Sequence, residues 1–154
     1  MNSHRGWLGA VVLAVALAAS GAAHAGEINE IDGVAIKGYD PVAYFEDAAP
    51  VAGRADITAE HAGATFRFAD TGNRDAFLAD PARYAPQYGG FCAYGTARGY
   101  KAGIDPAAFT IVDGKLYLNY DTGVQATWAK DVPGYIARAD GNWPEVKLTT
   151  KVHR

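Results

Sequence analysis

Phe109-Thr110-Ile111-Val112, Asp113-Gly114, Lys115-Leu116-Tyr117-Leu118-Asn119-Tyr120 is the stretch that decides the fold class. Two runs rich in β-branched and aromatic residues flank an Asp-Gly pair, and Asp-Gly readily supplies the two left-handed residues of a tight hairpin turn. A β-hairpin is therefore expected here. A second hairpin is predicted upstream, with strands over 57–60 and 64–69 around His61-Ala62-Gly63, and Thr65, Phe66 and Phe68 in the β-prone positions.

The segments around these hairpins read as short helices. Asp40-Pro41, Asp80-Pro81 and Asp105-Pro106 each combine a capping Asp with a Pro suited to the first helical turn. They predict one or two turns after Asp40, a helix from Pro81 toward Tyr84, and a single turn after Asp105. Asp70 or Thr71 caps a helix over 73–79, and Asp121 or Thr122 caps one over 124–130. Asp131 with Pro133 opens a last helix through Ala139, with Trp143-Pro144 beyond its end. Val34 to Gly38 reads as a brief strand ending at a glycine, and residues 26–32 as a polar lead-in. Short hairpins interleaved with short helices make the class α+β.

The first 25 residues have a different character. Arg5 precedes an uncharged run over 6–23, and Ala23-His24-Ala25 stands before Gly26-Glu27. A basic start, an apolar stretch and a small-residue cleavage motif predict a secretory signal peptide over 1–25. The expected location is periplasmic or secreted, with no membrane association after cleavage. The whole chain has 154 residues, 14 Lys+Arg, 17 Asp+Glu and a formal charge of −3. Removing 1–25 takes away only one basic residue, so the remainder is more acidic still. Mild acidity without a basic cluster argues against nucleic acid as a partner. One domain is expected over 26–147, followed by a C-terminal tail over 148–154.

Cys92 is the only cysteine, so the fold has no internal disulfide and stands on packing. Gly89-Gly90 before it would let the backbone approach a ligand, and a helix starting at Phe91 or Cys92 would lower the thiol pKa. The competing reading is a small buried residue between Phe91 and Ala93. Outside the leader the histidines are His61, in the predicted turn, and His153, in the tail. A metal site of Cys92 and His61 would need further ligands such as Asp40, Asp70 or Asp105, which spacing does not supply. His61 reads otherwise as an exposed turn residue. The nine tyrosines read as core residues with their hydroxyls at the rim, although Tyr88 and Tyr94 bracket Cys92 closely enough to line a pocket.

Gly63 to Phe68 followed by Phe77-Leu78-Ala79-Asp80-Pro81-Ala82-Arg83-Tyr84 resembles the YHS domain, a hairpin followed by a helix. The wider text, from Gly38-Tyr39-Asp40-Pro41-Val42-Ala43-Tyr44-Phe45 through Tyr88-Gly89-Gly90-Phe91-Cys92-Ala93 to Trp143-Pro144, is similar to the exported bacterial YHS domain-containing (seleno)proteins. The resemblance implies a metal-binding module whose usual cysteines would fall on Ala69 and Asn73, neither of which is a thiol. It also implies that the reactive position, selenocysteine in some members, falls on Cys92. Three functions follow as expectations. The first is a redox or soft-metal thiol that works with an external thiol. The second is a non-catalytic copper or zinc module using Cys92 and His61, supplied by a metal-donor protein. The third is a binding or structural domain in which Cys92 only packs.

Overall fold

The computed structural model describes residues 26–154. The predicted leader over 1–25 lies outside the described residues. The remainder is α+β, with eight short strands and six α-helices among the described residues.

Both expected hairpins are present. β3 (Arg54–His61) and β4 (Ala64–Phe68) turn through Ala62 and Gly63, both at positive φ. β6 (Phe109–Val112) and β7 (Lys115–Leu118) turn through Asp113 and Gly114 in the same conformation. A third hairpin, not expected, joins β1 (Glu30–Ile31) to β2 (Val34–Ala35) through Asp32-Gly33. The lead-in is thus the first hairpin, and it carries the same Asp-Gly signal. β2 then pairs in parallel with β4, giving a four-stranded sheet of order β1-β2-β4-β3.

Five carboxylates organise the helices. Asp70 caps α2 (Thr71–Ala79), accepting from the Asn73 N–H at 2.7 Å, and Asp80 caps α3 (Pro81–Tyr84). Asp121 caps α5 (Thr122–Trp128), and Asp131 caps the last helix, α6 (Val132–Val146). Asp40 does more than start α1 (Ala43–Glu46). Its side chain is fully buried; Oδ1 accepts from the Val42 and Ala43 N–H groups, and Oδ2 from the Ala69 N–H and Asn73 Nδ2. One carboxylate therefore joins α1, the end of β4 and α2. At the third Asp-Pro step the expectation fails. Asp105 Oδ1 accepts from the Ala107 N–H and the chain makes a turn without a helix, because Phe109 enters β6 at once.

Two further departures have tertiary causes. α6 spans Val132–Val146 and carries Pro144 in its last turn, seven residues beyond the expected end. Ala139 and Trp143 pack on Tyr88, Ala93 and Ala97, while Asn142 Nδ2 donates to the Thr96 and Ala97 carbonyls that end α4 (Ala93–Ala97). That contact outweighs the local preference of Gly141 and Pro144 for stopping the helix. The expected C-terminal tail over 148–154 contains a short strand. β8 (Val152–His153) pairs in parallel with β5 (Lys101–Ala102).

Beyond β2 the expected strand gives way to a left-handed turn, with Ile36 at φ +42°, Lys37 at +56° and Gly38 at +78°. Tyr88, Gly89 and Gly90 make a second one, at +55°, +62° and +82°. The two turns are packed together through Asn29, which donates from its backbone N–H to the Gly89 carbonyl and from Nδ2 to the Gly90 carbonyl, and accepts from the Ile36 N–H. A β-branched residue at positive φ is strained, and these long-range bonds hold it there. The main core lies beneath: Phe66, Phe68 and Phe77 from the β3–β4 hairpin and α2, with Tyr44, Leu116, Leu118 and Cys92.

Candidate thiol site

Cys92 is the residue that precedes the first turn of α4. The expected helix start is correct, and the sulfur itself caps the helix, accepting from the Gly95 N–H at 3.4 Å. Sγ lies 3.5 Å from Asn119 Oδ1, which also accepts from the Tyr94 N–H at 3.1 Å. Because the Tyr94 N–H can only donate, it fixes the amide with oxygen toward the sulfur, and the thiol donates to it. Asn119 Nδ2 is buried and has no hydrogen-bond partner among the described residues.

Cys92 is 1% exposed, and its burial sets the balance of its ionisation. Desolvation pushes the thiol pKa up, while the backbone N–H groups of Gly95, Tyr120 and Tyr94 pull it down by a lesser amount. The expectation of a lowered pKa is therefore reversed: the helix start is present, but water exclusion outweighs it. The double glycine also has a role other than the expected one. A Cβ on Gly89 would collide with the Glu27 carbonyl oxygen and one on Gly90 would press on Ile36 and Pro86, so these glycines admit the N-terminal strand region and the left-handed turn.

A raised thiol pKa carries a pH signature. The folded state keeps a proton that the unfolded chain has released, so stability falls as pH rises through the ordinary thiol range. Tyr44, Tyr88 and Tyr117 are pushed up as well, first by burial, and act in the same direction at higher pH. The thermal midpoint is expected to decline above about pH 9. In Cys92→Ala the onset should move toward the tyrosine range; a midpoint that rises with alkali would contradict these shifts.

Cys92 lies at the wall of a cleft of about 350 Å³ lined also by Tyr94, Tyr100, Ala102, Tyr120, Val124 and His153. Tyr94 is where the expected aromatic pocket placed it. Tyr88 is not a lining residue: its hydroxyl donates to Asp140 Oδ1 at 2.8 Å on the α6 side. His61 does not line the cleft. It is the half-buried last residue of β3, with its ring edge-on to Phe77 at 5.5 Å and to Phe66 at 6.0 Å. His61 is thus neither an exposed turn residue nor grouped with Cys92 in the cleft. His153 takes that place, its ring 5.0 Å from Tyr100. Sequence reasoning passed over it because nothing local announces a two-residue strand paired to residues 51 positions earlier.

Other candidate ligands are committed elsewhere. Asp40, Asp70 and Asp105 each accept backbone N–H groups. Ala69 and Asn73, where the resemblance would place cysteines, both donate to Asp40. Among the described residues no group of three or more His, Cys, Asp or Glu side chains is arranged to hold a metal ion. No helix among the described residues is long and apolar enough to cross a membrane. Comparison of the chain with protein-family models, with curated proteins and with solved structures gave no match.

Proposed function

We propose that this is an exported YHS-like protein that binds monovalent copper as cargo, through the Cys92 thiolate and the His153 imidazole. The observation that carries the reading is that these two side chains line one aromatic cleft. Zinc needs four ligands as a rule, and the described residues supply no group of even three. Monovalent copper is soft and is satisfied by two ligands, which suits one sulfur and one imidazole. Binding exchanges the thiol proton for the metal and releases the proton to solvent, so it does not require a thiolate in advance. Nucleophilic attack on a disulfide or peroxide does, and burial together with the Asn119 oxygen keeps the sulfur protonated. Coordination is therefore favoured over redox turnover, and an extracytoplasmic metal-donor protein is the natural partner.

Anaerobic titration of the reduced protein with Cu(I), against a chromogenic chelator, tests the reading. One equivalent is expected to bind. Binding should be abolished in Cys92→Ser, weakened about tenfold or more in His153→Ala, and unchanged in His61→Ala. No binding, or binding indifferent to Cys92→Ser, would overturn it. The burial of Cys92 within the main core favours a second reading, in which the residue only packs. Cys92→Ala would then cost about 1–2 kcal/mol of stability and, beyond the shifted alkaline onset, change no binding property.

A further inference from the structure

A cysteine that is only 1% exposed must be uncovered before any metal or reagent can reach its sulfur. The walls of its cleft differ greatly in how firmly they are held. Tyr94 and Ala102 belong to elements packed against the core, and Tyr120 follows directly on β7 and Asn119. His153 belongs to residues 150–154, none of which buries its side chain in either core cluster. That segment is tied down by the two-residue pairing of β8 with β5, by the Gly103 N–H donating to the His153 carbonyl at 2.8 Å, and by the Tyr100–His153 ring contact. Arg154 adds bonds to the Glu30 carbonyl at 3.1 Å and to Asn29 Oδ1 at 3.5 Å.

The stretch just before it is anchored in a different way. Lys101 is 1% exposed, and its Nζ donates to the Lys147 carbonyl at 2.8 Å, the Thr149 carbonyl at 2.6 Å and the Gly26 carbonyl at 2.5 Å. All three ammonium donors are thereby met, and the Phe91 ring lies 5.0 Å beneath. Thr149 Oγ1 adds a bond to the Val146 carbonyl. The chain is fixed up to Thr149 and lightly held after it, which is the arrangement of a strap on a hinge. Segments with few hydrogen bonds and no buried apolar side chain open locally, at a free energy well below that of global unfolding.

We propose that residues 150–154 form a strap that covers the Cys92 cleft and opens about Thr149–Thr150, with Lys101 as the pin that sets the hinge. The proposal concerns access to the site described under the proposed function, but it does not need copper to bind there.

The test is alkylation of Cys92 by N-ethylmaleimide, in which the sulfur adds across the maleimide double bond. In the native protein the rate should stay nearly flat at low urea, because a strap exposes little surface when it opens. Deleting residues 150–154 should raise the native rate about tenfold or more while leaving the urea unfolding midpoint close to that of the parent. Lys101→Met should raise it too. A rate that climbs from the first addition of urea with the full unfolding slope would overturn the proposal, because only global unfolding would then expose the sulfur. So would a native rate unchanged by the deletion. Alkylation involves no metal, so a failed strap and a failed copper site give separable results.

Discussion

Asp40→Asn is expected to destabilise the protein by about 3–5 kcal/mol, close to the loss from Asp40→Ala. An amide is usually a mild replacement for a carboxylate, but here all four contacts are donors: two N–H groups on Oδ1, and an N–H with the Asn73 amide on Oδ2. Asparagine keeps one acceptor and turns an –NH₂ toward the other pair, so donor faces donor in a fully buried place. At this chain length the loss corresponds to a fall of about 10–20 °C in the thermal midpoint. An Asn variant within about 1 kcal/mol of the parent in urea titration would mean that Asp40 is not the joint between α1, β4 and α2.

Gly89→Ala should be nearly as damaging, with a loss of about 3 kcal/mol or more. Two penalties coincide there: the backbone sits at φ +62°, and the new methyl group would drive into the Glu27 carbonyl oxygen, which belongs to main chain and cannot rotate away. Gly99→Ala is the control. It has φ +91° but nothing within 4 Å of the added carbon, so it carries strain alone, about 1 kcal/mol. Equal midpoints for the two variants would show that the Glu27 contact is not required.

The parts of this fold that were legible in the sequence are those specified by neighbours in the chain. Asp113-Gly114 and Ala62-Gly63 set their hairpins, and Asp70, Asp80, Asp121 and Asp131 set their helix starts, because a cap or a tight turn needs only three or four consecutive residues. What could not be read depends on distant partners. Lys37 and Tyr88 have no local reason to be left-handed; they are held so by packing through Asn29. α6 runs on through Gly141 and Pro144 because α4 offers it a surface, and because Asn142 donates to the Thr96 and Ala97 carbonyls at the end of that helix. The candidate site divides in the same way. Cys92 was found because it is the only thiol and precedes a helix, whereas the direction of its ionisation depends on burial, and its companion in the cleft depends on the pairing of β8 with β5.

The place of β3 at the rim of the four-stranded sheet bears on solubility. An open strand edge is a template for another chain, and eight residues would be long enough to recruit one. This edge is broken by an irregularity in register between Arg54 and Thr58, and its outer half carries the exposed Arg54–Asp56 ion pair at 2.9 Å. A second molecule aligning there would meet a kinked backbone and would have to strip water from two charges. The feature adds little to the stability of one molecule, but it makes the edge a poor template for a second one.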